Sequence, residues 1–234
     1  MSRGRPLDTI GFDADDTLWH NEQYFRLTEK RFTELLAEYA EAGHLSERLL
    51  AAERRNISRY GFGVKGFTLS MIETALEVTD RCVPASVIGE ILEAGRAMLS
   101  QPAEPLPHAR ETLERLCGRY RLILVTKGDL FDQERKVAQS GLAEMFDAVE
   151  IVSDKTPDTY RAVFAHHGSG AERAMMVGNS LKSDVVPALE AGSWGVHVPH
   201  DLTWALEHHD TPDDARFREI ANLGELETIV DEIG

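Results

Sequence analysis

The chain has 234 residues, 42% hydrophobic and 28% charged, enough for one sizeable core or for a core domain with a smaller insertion. Its 25 basic residues are outnumbered by 40 acidic ones, and the formal net charge of -15 disfavours nonspecific attachment to nucleic acid or anionic membranes. Any anionic substrate must therefore be held by local cations. The two cysteines, Cys82 and Cys117, lack metal-ligand spacing and are too few for a disulfide framework, so reduced, buried thiols are expected. The opening MSRGRP is basic but has no apolar signal core behind it, and no span near about twenty apolar residues follows. A soluble, cytoplasmic protein is the expectation.

In chain order, Leu7 to Phe12 reads as a short apolar strand that stops at Asp13, Asp15, Asp16 and Thr17. Carboxylates so crowded repel one another unless a cation sits among them, which points to a bound metal. From Asn21 the pattern becomes helical. Phe25, Phe32, Leu35, Leu36 and Tyr39 recur at helical spacing, with Gly43 as the expected stop. Further helices are expected over Ser46 to Tyr60, Thr68 to Thr79 and Pro84 to Leu99, and the proline-rich QPAEPLP reads as a stiff linker out of this block.

After His108 helices and strands alternate. The expected strands are Leu122 to Val125, Ala148 to Val152, Ala174 to Val177 and Trp194 to Val198; the expected helices are Glu111 to Cys117, Asp132 to Gln139, Tyr160 to His166 and Val185 to Ala191. The tail Glu225 to Glu232 reads as a last amphipathic helix or short strand. Such alternation signals a parallel sheet covered on both faces. The fold class read from this is α/β, a Rossmann-like parallel-sheet core with an all-helical domain inserted after the first strand. Residues 1–19 and 102–234 would form the core, and 20–101 the insertion.

In open parallel sheets ligands bind beyond the carboxyl ends of the strands. The polar residues expected there are Asp13 and Asp15, Thr126 with Lys127, Lys155, and Asn179, Ser180 and Asp184; Gly128, next to Lys127, is a substrate-binding candidate with them. Each alone is a weak signal, since an acid at a strand end is commonly a turn or cap and a lone lysine a solvated side chain. Their order along the chain is what is specific. FDADDTLW, LVTKGD, the lysine of SDKTPDTY, and VGNSLKSD resemble the four successive motifs of the haloacid dehalogenase superfamily, and the helical insertion resembles that superfamily's first type of cap.

The resemblance implies an Mg²⁺-dependent phosphohydrolase acting on a small phosphorylated metabolite. It makes Asp13 the nucleophile and Asp15 the general acid and base, lets Thr126 bind and Lys155 neutralise the transferring phosphoryl group, and gives Asp184 to the metal, to which the residues Asp13, Asp15 and Asn179 can also offer oxygens. The chemistry is reasonable for these residues. A carboxylate is ionised at neutral pH and needs no base to attack phosphorus, and a cation with a lysine nearby removes the charge repulsion. Asp15 has to be protonated for one half of the reaction and deprotonated for the other. Asp16 reads as a turn or cap residue.

Asn179 departs from the family pattern, in which an acid commonly follows the glycine, and the site carries one less negative charge for it. A 2-haloacid dehalogenase is the same-fold alternative, which Asp15 argues against; a catalytically degenerate metabolite-binding or phospho-accepting protein is the non-enzyme alternative, motivated by Asn179. Lys127 either adds a second cation to the phosphate site or points to solvent. The loop GFGVKG, residues 61–66, spells G-x-G-x-x-G but lies between helices, so a dinucleotide fingerprint is rejected. It is a connection, or it faces the core and brings Lys65 to the leaving group. The nine histidines lack metal-site spacing. Monomer and homodimer are both compatible with the sequence.

Overall fold

Runs of four to seven largely apolar residues, too short for stable helices, become five of the six strands of a sheet in the computed structural model, which describes residues 7–233. The basic opening, residues 1–6, and Gly234 lie outside the described residues. The strands are β1 (Thr9–Phe12), β2 (Arg121–Lys127), β3 (Ala148–Val152), β4 (Ala174–Gly178), β5 (Trp194–His197) and β6 (Phe217–Glu219). All pair in parallel, in the order β3-β2-β1-β4-β5-β6. Phe12 is aligned with Leu124 on one side and Val177 on the other, so the chain leaves β1, β2 and β4 at one edge. The strand order reverses between β1 and β4, which is where open α/β sheets form their ligand crevice.

Five helices lie between β1 and β2, and the first four build the helical segment: α1 (Glu22–Leu35), α2 (Ala42–Tyr60), α3 (Val64–Val78) and α4 (Ala85–Met98). The helices of the sheet region are α5 (Ala109–Leu116), α6 (Leu130–Ser140), α7 (Pro157–His167), α8 (Val186–Ala191) and α9 (Leu226–Ile233). The period-two geometry of a strand sends successive residues of β2 to opposite faces. Leu122 and Leu124 join a core with Leu113, Leu116, Leu226 and Val230, while Ile123 and Val125 join one with Tyr160, Phe164 and Ala188. The helical segment has its own core around Phe32, Leu49, Met71 and Ile91.

The chain divides into two compact units. One comprises Met1–Asn21, Ala103–Lys127 and Gln133–Gly234; the other comprises Glu22–Pro102 with the short segment Gly128–Asp132. Among the described residues no helix is long and apolar enough to cross a membrane.

Several local expectations are corrected. Gly43 does not stop a helix: α1 ends at Leu35, and Gly43 sits in the first turn of α2. α3 begins at Val64, inside the glycine loop, because Gly63 (φ 105°) supplies the backbone turn and leaves the next residues free to be helical. Both cysteines are exposed free thiols, not buried ones. Cys82 follows two left-handed residues, Asp80 and Arg81, and Cys117 closes α5 just before Gly118, so each lies in a surface turn. The strand β6 was not expected; its sequence FRE is charged at two of three positions.

Candidate active site

The site is built where β1 ends. The Asp13 N–H donates to the Val177 carbonyl at 2.9 Å, which extends the β1–β4 pairing by one residue and fixes the Asp13 backbone. The chain then folds back in a tight turn: the Leu18 N–H donates to the Ala14 carbonyl at 2.8 Å, and Asp16 takes a left-handed conformation (φ 63°). The Asp16 carboxylate accepts from the Asn21 N–H at 2.8 Å, so it braces this turn. Trp19 is fully buried under it.

Asp13, Lys155 and Asp184 form one buried cluster. The Lys155 ammonium donates to Asp13 Oδ1 and, at 2.7 Å, to Asp184 Oδ1. Asp184 Oδ2 accepts from the Ser180 N–H at 3.0 Å, and Asp13 Oδ2 accepts from the Thr17 hydroxyl at 2.9 Å. Gly178 is required here: a Cβ would lie 2.3 Å from Asp184 Oδ2, so any side chain would displace that carboxylate. Two carboxylates share one ammonium, and the balance of charge is visible in the proton affinity of Asp13. Burial, and next the charge of Asp184, push the Asp13 carboxyl up to about 7 against the pull of Lys155. Asp13 is thus only partly ionised without help at neutral pH, where its residue type alone suggested full ionisation. Burial acts to lower the Lys155 pKa, but Asp13 and Asp184 together outweigh it and hold the amine above the ordinary lysine value.

Asp15 is held by a different set. Trp19 Nε1–H donates to its Oδ1 at 2.8 Å, Lys136 Nζ donates to both oxygens at 3.0 Å, and Gln133 Nε2 donates to Oδ2 at 3.2 Å. Lys136 also donates to Asn21 Oδ1 at 2.8 Å. The same Gln133 amide nitrogen donates to Thr126 Oγ1 at 2.6 Å and to the Lys127 carbonyl at 3.1 Å. Since Thr126 accepts from Gln133, its own hydroxyl hydrogen is directed elsewhere and can meet an anion. Gln133 Oε1 is buried with no hydrogen-bond partner.

Thr126 and Lys127 are the last residues of β2, and Gly128 (φ 146°) turns the chain out of the strand in a conformation open to glycine. Lys127 Nζ is paired at 2.7 Å with Glu207 and donates at 2.7 Å to the Ser183 hydroxyl. It does not point to solvent. Lys65, in the helical unit, is engaged by both carboxylate oxygens of Asp129 at 2.9 Å.

The donor set bears on whether a divalent cation fits here. Among the described residues, no three His, Cys, Asp or Glu side chains gather as a metal-ligating group. The oxygens that do converge are of mixed origin. The Asn179 amide lies 3.2 Å from Asp13 Oδ2 and 3.3 Å from the main-chain oxygen of Asp15. An amide can present either end. With its nitrogen inward it donates to both; with its oxygen inward, a carboxylate, a carbonyl and an amide oxygen face one point. Hard oxygens of this kind fit Mg²⁺, which is content with one or two carboxylates and keeps several waters.

Reading from sequence missed Gln133, Lys136 and Glu207. Gln133 and Lys136 stand three apart on α6 and so share a helix face, a signal that was available once α6 was known to follow β2. Glu207 sits in a single turn (Ala205–Glu207) of the long loop after β5 and carries no local signal.

The model of the family "haloacid dehalogenase-like hydrolase" matches residues 7–192. The glyceraldehyde 3-phosphate phosphatase of Methanothermobacter thermautotrophicus is 24% identical over 96% of this chain and 100% of its own. A haloacid dehalogenase-like family hydrolase from Xanthomonas campestris superposes with a TM-score of 0.88 at 41% identity, covering 98% of this chain and 93% of that one. YfnB from Bacillus subtilis, a HAD hydrolase solved with bound magnesium, shares the fold at 17% identity, with a TM-score of 0.69 over 97% of this chain and 100% of that one. Ordered motifs, strand-end chemistry, sheet topology and similarity agree: the chain belongs to the haloacid dehalogenase-like hydrolases.

Proposed function

We propose that this hydrolase is an Mg²⁺-dependent phosphohydrolase that cleaves a small phosphomonoester through an aspartyl-phosphate on Asp13. The observation that carries this reading is the pairing of Asp13 with Lys155 beside the oxygens of Asn179 and the Asp15 main chain. A buried carboxylate raised to about 7 becomes a competent nucleophile once further positive charge arrives, and the oxygens to hold such a charge stand next to it. Asp13, the Asp15 main chain and Asn179 would hold Mg²⁺, with Asp184 as the second carboxylate charge; bound there, the ion would offset charge on Asp13 and on the phosphoryl oxygens.

In this reading an Asp13 oxygen forms a bond to phosphorus as the ester oxygen departs. Lys155 and the Thr126 hydroxyl stabilise the transferring group. Asp15 gives the departing oxygen its proton and then takes one from the water that attacks phosphorus, which releases phosphate and restores Asp13. Asp15 is surrounded by donors, so it must loosen from Lys136 to serve as the acid. The similarity to an enzyme named for glyceraldehyde 3-phosphate supports a small phosphorylated metabolite as substrate.

The test is phosphate release from 4-nitrophenyl phosphate with Mg²⁺ and with chelator. Activity is expected only with Mg²⁺ and is expected to vanish in Asp13→Asn. Full turnover in chelator, or in that variant, would overturn the reading. Asn179, where an acid is common, favours the second reading, a catalytically degenerate metabolite-binding protein; binding of Mg²⁺ and phosphate without turnover of any member of a broad phosphoester panel would decide for it.

A further inference from the structure

Three residues that adjoin the proposed catalytic groups in the chain turn their donors to one place. Lys127 follows Thr126, Ser180 follows Asn179, and Ser183 precedes Asp184. The carboxylate of Glu207 lies on all of them: Oε1 on Lys127 Nζ at 2.7 Å, Oε2 on Ser180 Oγ at 2.5 Å and on Ser183 Oγ. Lys127 also donates to Ser183 Oγ at 2.7 Å, so the hydroxyl proton of Ser183 is directed to Glu207. Ser180 and Ser183 are buried, and the Lys127 and Glu207 side chains are 16% and 14% exposed. A backbone contact carries Glu207 in, since Lys182 Nζ donates to the Leu206 carbonyl at 2.6 Å.

An ammonium and two hydroxyls converging on one point is the donor set that recognises a carboxylate or a phosphate. Here the chain supplies the anion itself. Burial acts to raise the Glu207 pKa, but the Lys127 charge and the hydrogen bonds from Lys127, Ser180 and Ser183 prevail and hold it below the ordinary glutamate value. The cation beside Thr126 is thereby neutralised.

We propose that Lys127, Ser180 and Ser183 form an anion cradle filled by the chain's own Glu207, and that this filling makes the site select phosphoesters whose leaving group carries no second negative charge. The selectivity rests on the phosphohydrolase reading above; the cradle does not. With Glu207 in place, the ammonium next to the phosphate site has its counter-charge already. A carboxylate on the substrate would find repulsion from Glu207 where an open cradle would offer attraction.

The experiment has a binding arm and a kinetic arm. In Glu207→Ala, acetate is expected to raise Tm, with sodium chloride at equal ionic strength as the control. Neither the wild type nor Glu207→Ala/Lys127→Met should respond. In Glu207→Gln, which keeps the side-chain volume, the ratio of kcat/KM for phosphoglycolate to that for 4-nitrophenyl phosphate should rise about tenfold over wild type. A folded Glu207→Ala that ignores acetate overturns the cradle; if that variant does not fold, Glu207→Gln alone decides, and an unmoved ratio overturns the proposal. Wild-type protein that hydrolyses neither ester overturns the phosphohydrolase reading and the selectivity with it, while the acetate response still decides the cradle.

Discussion

Lys155 and Lys136 each bridge two oxygen-bearing side chains at the strand ends, but the Lys155 side chain is 2% exposed and that of Lys136 13%. Lys155 joins two carboxylates, Asp13 and Asp184, and the cluster is left with an excess of negative charge in a place without solvent. Lys136 joins one carboxylate, Asp15, to the neutral amide of Asn21, at the edge of solvent. The first arrangement is costly to break and leaves the group that would attack phosphorus short of positive charge. The second is less buried and easier to undo, as suits a group that must exchange a proton in each half of a reaction.

Removal of Lys155 should have the largest effect. Lys155→Met leaves Asp13 and Asp184 buried without their cation, and breaking such a pair costs about 3–5 kcal/mol. Phosphatase activity should fall by more than about 10³-fold, since stabilisation of the transferring group is lost too. Lys155→Met/Asp184→Asn should recover much of the stability but none of the activity. A stable, active Lys155→Met would end the comparison. The effect of Lys136→Met should be smaller and of a different kind. Stability should change by no more than about 1 kcal/mol, because the pair is near solvent and Trp19 and Gln133 still donate to Asp15. The loss should appear in kcat, by roughly 10- to 100-fold, with the position of Asp15 and its proton traffic disturbed. Thermal melts and steady-state kinetics on both variants separate the two patterns; equal destabilisation would remove the distinction drawn above.

The sequence carried the two lysines unequally as well. Lys155 could be picked out because it falls just past a strand, and strand ends in a parallel sheet converge whatever the details of packing; Asp13, Thr126 and Asp184 were legible for the same reason. Lys136 lies in the second turn of α6, and its reach to Asp15 depends on how that helix is rotated against β1, which periodicity does not fix. Glu207 arrives from a loop whose path is set by tertiary contacts alone. In the fold, β2 and β4 were readable as apolar runs because they are buried on both faces, whereas β6, three residues of which two are charged, is an edge strand with little burial to mark it. The early start of α3 and the passage of α2 through Gly43 show that a glycine permits a break without enforcing one.

The last predicted effect, confined to a pH window, bears on the excess charge around Lys155. Burial and Asp184 raise the Asp13 pKa to about 7 in the folded protein, whereas an unfolded chain titrates it in the ordinary aspartate range. Between roughly pH 4 and 7 the native state therefore binds more protons than the unfolded state, and stability falls as pH rises through that window. Lys155, held above the ordinary lysine value, keeps its proton throughout. Glu207, held below the ordinary glutamate value, contributes stability that is fully present above that value and lost only at lower pH, so neither obscures the window. Asp13→Asn cannot titrate. In the presence of chelator its Tm should match that of the wild type near pH 4 and exceed it increasingly up to pH 7, by an amount worth at most on the order of a few kcal/mol, and level off above. A flat difference, or one of opposite sign, would mean that the single ammonium outweighs both burial and Asp184 and keeps Asp13 ionised unaided. The need for added positive charge at this site would then disappear, and with it the main physical reason for a divalent ion beside Asn179.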